Sequence, residues 1–178
     1  IEAARMARRM PAQMHRKQFA LFHWPEFQSG LWEEVVNQAD AAIIESPDIR
    51  LLGADQDGRV VDIARTNAKA AGVEEITQWK QAAFQQLPLP WEEPVLIMNP
   101  PYDVRLQHRA IEQFYGEIGT VLKHKFAPCE AWIFSANPEA MKAIGLRPSR
   151  KINLYNGQLP AQLRQFVIFA GKRKDQYD

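Results

Sequence analysis

The chain is poor in cysteine, with Cys129 alone among 178 residues, and it has little net charge and no long apolar run. One cysteine excludes an internal disulfide and fits a reducing compartment, so a cytoplasmic location is expected. As a small buried hydrophobe Cys129 needs no chemical role. No apolar stretch approaches the roughly 20 residues that cross a bilayer, so no membrane span is expected. The opening residues are rich in arginine and read as a helix. They lack the apolar core of a secretory signal. With 22 basic and 21 acidic residues the net charge is +1, which gives the whole molecule no nucleic-acid signature. Internal repeats, low-complexity segments and linkers are also missing, and this length suits a single domain.

What charge there is lies in clusters. Arg5, Arg8, Arg9, Arg16 and Lys17 crowd the start, Arg147, Arg150 and Lys151 form a second group, and Lys172, Arg173 and Lys174 a third. Such groups either grip phosphates or are solvated faces. Between them the pattern alternates. IEAARMARRM reads as a helix without an opening cap, stopped by Pro11, and HWPEF as an aromatic-rich turn. SGLWEEVVNQADAAI has helical periodicity, with Ser29 placed as a cap. IRLLGAD (49–55) is a short strand, and 57–72 a helix that Asp57 caps and Gly72 ends. ITQWKQ (76–81) and PVLIMN (94–99) are strands, the second a buried one. A long helix over 108–126 presents Ile111, Phe114, Tyr115, Ile118 and Leu122 on one face. EAWIFSAN is a further strand, followed by a short helix, and KINLYNG with LRQFVIFAG reads as an antiparallel pair. The expected fold class is α/β, a three-layer, doubly wound and mostly parallel sheet of Rossmann-like type closed by a C-terminal antiparallel hairpin.

Ligands of open α/β sheets sit beyond the carboxyl ends of the strands, and two such ends are unusual here. In GADQD, Asp55 closes a strand and Asp57 opens the next helix. A carboxylate at the first position can accept hydrogen bonds from both hydroxyls of a ribose. Gln56 would then lie against the base. Both aspartates could instead serve only as caps; Asp57 suits the cap better and Asp55 the ligand. The second end is Asn99-Pro100-Pro101-Tyr102. Prolines have locked φ angles and no N–H, so the corner is rigid and cannot continue a central strand. The Asn99 side-chain oxygen and the Pro100 carbonyl are two fixed acceptors, which suit the two donors of an –NH2 group. Tyr102 offers a face for a planar base. An exocyclic amine is a poor nucleophile because its lone pair is delocalised into the ring. Holding both N–H groups turns that lone pair toward an electrophile and disperses the charge that develops.

The NPPY corner after a V-L-I-M strand resembles the signature of S-adenosylmethionine-dependent methyltransferases acting on planar amines. FALFHWPEF, GADQD with its following helix, NPPYDVRL and GLRPSRKINLYNGQLPAQL together resemble the catalytic domain of THUMP-containing ribosomal RNA guanine-N2 methyltransferases over nearly the whole chain. The resemblance implies a seven-stranded class I methyltransferase sheet, S-adenosyl-L-methionine as methyl donor, and transfer to guanine N2 in large-subunit ribosomal RNA. It places Asp55, Gln56, Asp57, Ala83 and Asn99 at the cofactor, and Asn99, Pro100, Pro101 and Tyr102 at the reacting base. It adds Tyr102, Arg105, Tyr155 and Asn156 as RNA contacts and assigns no metal. Two departures stand out. The family's glycine-rich cofactor loop precedes the helix that IEAARMARRM resembles, and neither it nor a THUMP domain is among these 178 residues. The chain is therefore expected to be one domain, 1–178, of a larger enzyme. Where the family-like fold places an acid after the third strand, this chain has Ala82 and Ala83.

Transfer to a base requires that base unstacked or already single-stranded, and the basic clusters, Arg8 and Arg150 among them, are expected to grip RNA around it. The same two acceptors fit the N6 amine of adenine in RNA or DNA, which is the alternative substrate. A glutamine amide on a protein fits less well, given the long YNG-containing match. The non-enzymatic alternative is an inactive methyltransferase fold that only binds RNA.

Overall fold

The computed structural model describes residues 1–88, 91–101 and 108–171, and it divides into two compact units, Ile1–Leu87 and Pro88–Asp178. In the first, helix α1 (Glu2–Ala7) buries Ala4 against Ala68 and Val73, with Ile1, Met10, Leu51 and Trp79 around them. A single 3-10 turn, Ala20–His23, leads to α2 (Ser29–Ala41). Ser29, expected as the cap, is instead the first helical residue, and Gln28 sits at the cap position without a side-chain bond. A hydroxyl already inside the first turn cannot serve the N–H groups above it as a cap does. Strand β1 (Leu51–Asp55), helix α3 (Gly58–Ala70) and strand β2 (Thr77–Gln81) follow. The strands run parallel, from Leu51 opposite Thr77 to Asp55 opposite Gln81. Asp57 caps α3 as the sequence indicates, and Gly72 closes it at φ +65°, where a side chain would be strained.

The second unit holds β3 (Val95–Met98), α4 (His108–His124), β4 (Cys129–Ser135), α5 (Ala140–Ala143), β5 (Arg150–Asn156) and β6 (Leu159–Ile168). Its sheet has the order β3-β4-β6-β5. β3 and β4 are parallel, and both pairs that involve β6 are antiparallel. Ile111, Tyr115, Ile118 and Leu122 are buried along one face of α4, together with Ala131 and Ile133 of β4 and Phe166 of β6. Phe114, expected on that face, is half-buried. The end of β4 is tied down by a short polar chain. Tyr115 Oη and Ser135 Oγ are 2.8 Å apart, the Asn137 N–H donates to Ser135 Oγ at 3.0 Å, and Asn137 Oδ1 accepts from the Ala140 N–H at 2.9 Å.

The α/β class, the parallel β–α–β units and the closing hairpin all appear as expected. Among the described residues the first unit has a sheet of two strands and the second a sheet of four. One feature differs: β3 is not buried, since Val95 is 64% and Ile97 77% exposed. Among the described residues β3 pairs only with β4, so it is an edge strand and its residues alternate between exposed and half-buried. Among the described residues no helix is long and apolar enough to cross a membrane.

Candidate functional site

In the first unit the parallel pair β1–β2 ends at Asp55. Its carbonyl accepts from the Ala82 N–H at 2.9 Å, which places Ala82 and Ala83 directly beside it. Asp55 Oδ1 accepts from the Asp57 N–H at 2.8 Å. The side chain is half-buried, and Oδ2 has no hydrogen bond among the described residues. Asp57 is differently engaged. Oδ1 takes the Arg59 N–H at 2.9 Å and Arg59 Nε at 3.2 Å, while Oδ2 meets Arg59 Nη2 at 2.9 Å. The Arg59 side chain, then its backbone N–H, holds the Asp57 carboxyl below its ordinary range. Gln56 is exposed, and its carbonyl accepts from Gln81 Nε2 at 3.2 Å. Four expected residues, Asp55, Gln56, Asp57 and Ala83, thus gather at one strand end. Asp57 acts there as the helix cap and Asp55 as the carboxylate with an oxygen to offer. Ala83 brings no acceptor in its side chain.

In the second unit Asn99, Pro100 and Pro101 follow β3 directly. Pro100 is buried, while Asn99 and Pro101 are exposed. A buried ring between two exposed neighbours anchors the corner and leaves the Asn99 amide in solvent. Tyr102 and Arg105 lie outside the described residues. Because β3 and β4 are parallel, this corner shares the carboxyl end of the sheet with Ser135 and Asn137. β4 ends at Ser135 opposite Gln162, and β5 extends past that point to Tyr155 opposite Pro160 and Asn156 opposite Leu159. Topology therefore brings Asn99 and the Tyr155-Asn156 tip to one end of the sheet, on its two opposite edges. Three strand intervals of about 4.8 Å, or about 14 Å, separate them across the sheet, and Tyr155 lies three residues, about 10 Å, further along it than Asn99. Tyr155 is 73% exposed, and Gly157 makes the turn at φ +61°.

One basic residue turns out differently from its sequence expectation. Arg8 serves the fold: its guanidinium donates to the carbonyls of Gly72 at 2.6 Å and Ile44 at 3.2 Å and pairs with Glu45, with only 13% of the side chain exposed. It is therefore corrected from RNA grip to internal brace. Arg147, Arg150 and Lys151 are exposed, and Lys172, Arg173 and Lys174 lie outside the described residues. Burial pushes the Cys129 thiol up to about 11, which leaves it protonated and inert at neutral pH. No group of three or more metal-binding side chains comes together among the described residues. Sequence reasoning missed one arrangement. Phe19, Phe22, Phe27 and Trp32 form one aromatic cluster with ring centroids 5.0 to 5.6 Å apart. Five aromatic residues within fourteen, Trp24 included, next to Arg16 and Lys17, were its signal.

Known proteins match this arrangement over nearly all of the chain. A protein of Aeromonas hydrophila named ribosomal RNA large subunit methyltransferase K/L is 34% identical over 188 residues, covering 94% of this chain and 26% of that protein. One of the same name from Legionella pneumophila (strain Corby) is 30% identical over 174 residues, covering 97% of this chain and 24% of its own length. Among solved structures, SMU.472 complexed with SAH superposes with a TM-score of 0.86 at 31% identity, over 96% of this chain and 45% of that one. The chain thus spans about a quarter of the K/L relatives and less than half of that solved chain. The RMKL-like methyltransferase domain, UPF0020, matches residues 1–165, and the chain belongs to that family.

Proposed function

We propose that the chain is the catalytic domain of a longer cytoplasmic enzyme that methylates the exocyclic N2 amine of a guanine in large-subunit ribosomal RNA, with S-adenosyl-L-methionine as donor. The observation that carries this reading is the Asn99-Pro100-Pro101 corner, exposed at the carboxyl end of β3 with only Pro100 buried. Membership of a methyltransferase family supports it, as do relatives named for ribosomal RNA. When bound, S-adenosylmethionine supplies an electrophilic methyl group. The residues at the end of β1 fit such a ligand: Asp55 keeps Oδ2 for the ribose hydroxyls, and exposed Gln56 borders the adenine. Ala83 lines that side without an acceptor. Asp57 contributes by fixing the turn.

The Asn99 side-chain oxygen and the Pro100 carbonyl accept the two N–H bonds of guanine N2, which turns its lone pair out of the ring system toward an electrophile. Transfer would form the N–C bond as the donor's methyl–sulfur bond breaks and its electron pair stays on sulfur; the positive charge that develops on the amine would be shared with both acceptors, and its proton would leave to water. Tyr102 stacks on the base. Arg105, Tyr155 and Asn156 contact flanking RNA, together with exposed Arg150 and Lys151. Nucleoside mass spectrometry of ribosomal RNA incubated with the complete enzyme and labelled donor tests this. Label is expected in N2-methylguanosine, and label in N6-methyladenosine would reject the guanine assignment. Asn99→Ala should lower single-turnover methylation by about 100-fold or more, the scale of losing one preorganised partner of a developing charge. Full activity in that variant would sink the mechanism.

A further inference from the structure

The first unit carries a cleft of about 460 Å³ that contains none of the residues assigned above to methyl transfer. Arg16, Lys17, Phe19, Phe22, Trp32 and Asp40 all border it. Its aromatic members are only half-buried, although aromatic rings are the side chains with most to gain from a core. Trp32 lies 5.2 Å from Phe19 and 5.3 Å from Phe22, at interplanar angles of 55° and 79°, so the rings present faces and edges at different tilts. Arg16 sits 5.0 Å over the Phe19 ring, held by Gln18 O and Gln13 Oε1.

Along the segment that leads to α2 the charge beside the cleft has one sign, while α2 adds the carboxylate of Asp40. From residue 3 to residue 25 the chain has five Arg or Lys and no Asp or Glu. Arg8 is consumed by the fold and Arg5 donates to the Pro11 carbonyl, which leaves Arg9, Arg16 and Lys17 exposed. A rim of this kind complements a polyanion, and the rings below it complement flat apolar faces. An unpaired nucleotide has both features. An apolar protein segment has only the second. Asp40, exposed on α2, adds a group that only accepts hydrogen bonds. Among the bases, guanine offers the matching edge, with N1–H and the N2 amine side by side.

We propose that this cleft binds an unpaired nucleotide of the RNA, guanine in preference to the other bases, at a point separate from the methylated base. The base packs against Phe19, Phe22 and Trp32, its phosphates meet Arg16 and Lys17, and Asp40 accepts from its edge. The proposal rests on the RNA-substrate reading above and adds a second point of attachment to it.

The test is fluorescence anisotropy of the complete protein with unstructured oligonucleotides that carry one guanine or one adenine in a uridine background. Phe22→Leu keeps an apolar side chain and removes a ring; it should weaken binding by about 5- to 100-fold, the scale of losing one stacked base. Lys17→Ala should flatten the dependence of log K on log salt by about 0.7, the value for one phosphate of a single strand. Asp40→Ala should erase the part of the guanine preference that this cleft supplies. If wild-type protein binds RNA but Phe22→Leu and Lys17→Ala match it in affinity and salt slope, the proposal is overturned and the cleft is a protein-packing surface. If wild-type protein binds no RNA, the substrate reading falls and takes the proposal with it. Should Phe22→Leu lose its circular dichroism spectrum, Lys17→Ala and Asp40→Ala decide, since both side chains are exposed.

Discussion

The Asp57 N–H donates to Asp55 Oδ1 at 2.8 Å, so two carboxylates two residues apart have different tasks. One oxygen of Asp55 fixes the turn and the other faces outward. Both oxygens of Asp57 are taken up by Arg59. Asp55→Ala should therefore weaken S-adenosylmethionine binding by about tenfold or more, on the scale of hydrogen bonds to a charged group. Asp57→Ala should cost helix stability, with a smaller effect on affinity. Calorimetric titration beside thermal melts of both variants separates the two. Equal affinities in Asp55→Ala and wild type would remove Asp55 from the cofactor site.

The capping role also has a pH signature. The side-chain bond from Arg59, followed by its backbone N–H, lowers the Asp57 carboxyl from its ordinary 3.8. A depressed native value means that the cap's contribution is complete above the ordinary value and is lost as pH falls through the lower native one. Asp57→Ala should thus melt below wild type at neutral pH, and the gap should close as pH drops below 3.8. A gap that persists in acid would show that the charge on Asp57 does not matter.

Arg8 looked like part of an RNA-binding cluster, and its geometry points to another result. It joins the segment after α1 to Ile44 and Glu45 and to the end of α3 at Gly72. Arg8→Ala should lower unfolding free energy by about 2 kcal/mol, in the range for hydrogen bonds made by a charged donor. Arg8→Lys should not restore it, since an ammonium cannot span three acceptors in a fork. The salt slope of RNA binding should match wild type in both.

Local rules made much of this legible in the sequence. Asp57 and Gly72 bracket α3 because caps depend on neighbours within a few residues, and the β5–β6 hairpin was marked by the runs KINLYNG and LRQFVIFAG, although β6 begins earlier, at Leu159, after a tight turn at Gly157 and Gln158. The NPPY corner stood out because two prolines at a strand end have few structural explanations. What escaped depended on distance along the chain. Nothing near Arg8 distinguishes it from Arg9; the difference lies in carbonyls 36 and 64 residues away. Val95 and Ile97 share one exposed face of β3, and an apolar run does not announce which face is left uncovered. The aromatic cluster was hidden because its rings lie in and beside two separate elements, the 3-10 turn and α2.

Two glycines of α4 offer a packing test with its own control. A Cβ at Gly119 would lie 1.9 Å from the Ile144 carbonyl oxygen, whereas one at Gly116 meets nothing nearer than the Ala143 carbonyl oxygen at 3.6 Å. Gly119→Ala must push α4 away from the residues that end α5 and should cost about 1–3 kcal/mol, the usual price of overpacking. Gly116→Ala faces no such clash and should gain up to about 1 kcal/mol from helix propensity. Urea denaturation of both variants reads the difference directly. A stabilised Gly119→Ala would mean that the two helices are further apart than described.

The distance across the second sheet sets the last expectation. Asn99 and Tyr155 lie at the same end but on opposite edges, about 14 Å apart across the strands and about 10 Å apart along them. A base held at Asn99 cannot also stack on Tyr155, so Tyr155 must meet a neighbouring nucleotide if it meets RNA at all. Such a contact is formed equally in the ground and transition states, and its loss appears in KM while kcat is kept. Tyr155→Ala should raise KM for RNA about tenfold, on the scale of one stacked base, and change kcat by less than about threefold. Asn99→Ala should do the reverse. Steady-state kinetics on both variants decides it, and a kcat loss in Tyr155→Ala comparable to that of Asn99→Ala would place the hairpin tip at the reacting base and reject the separation inferred from the sheet.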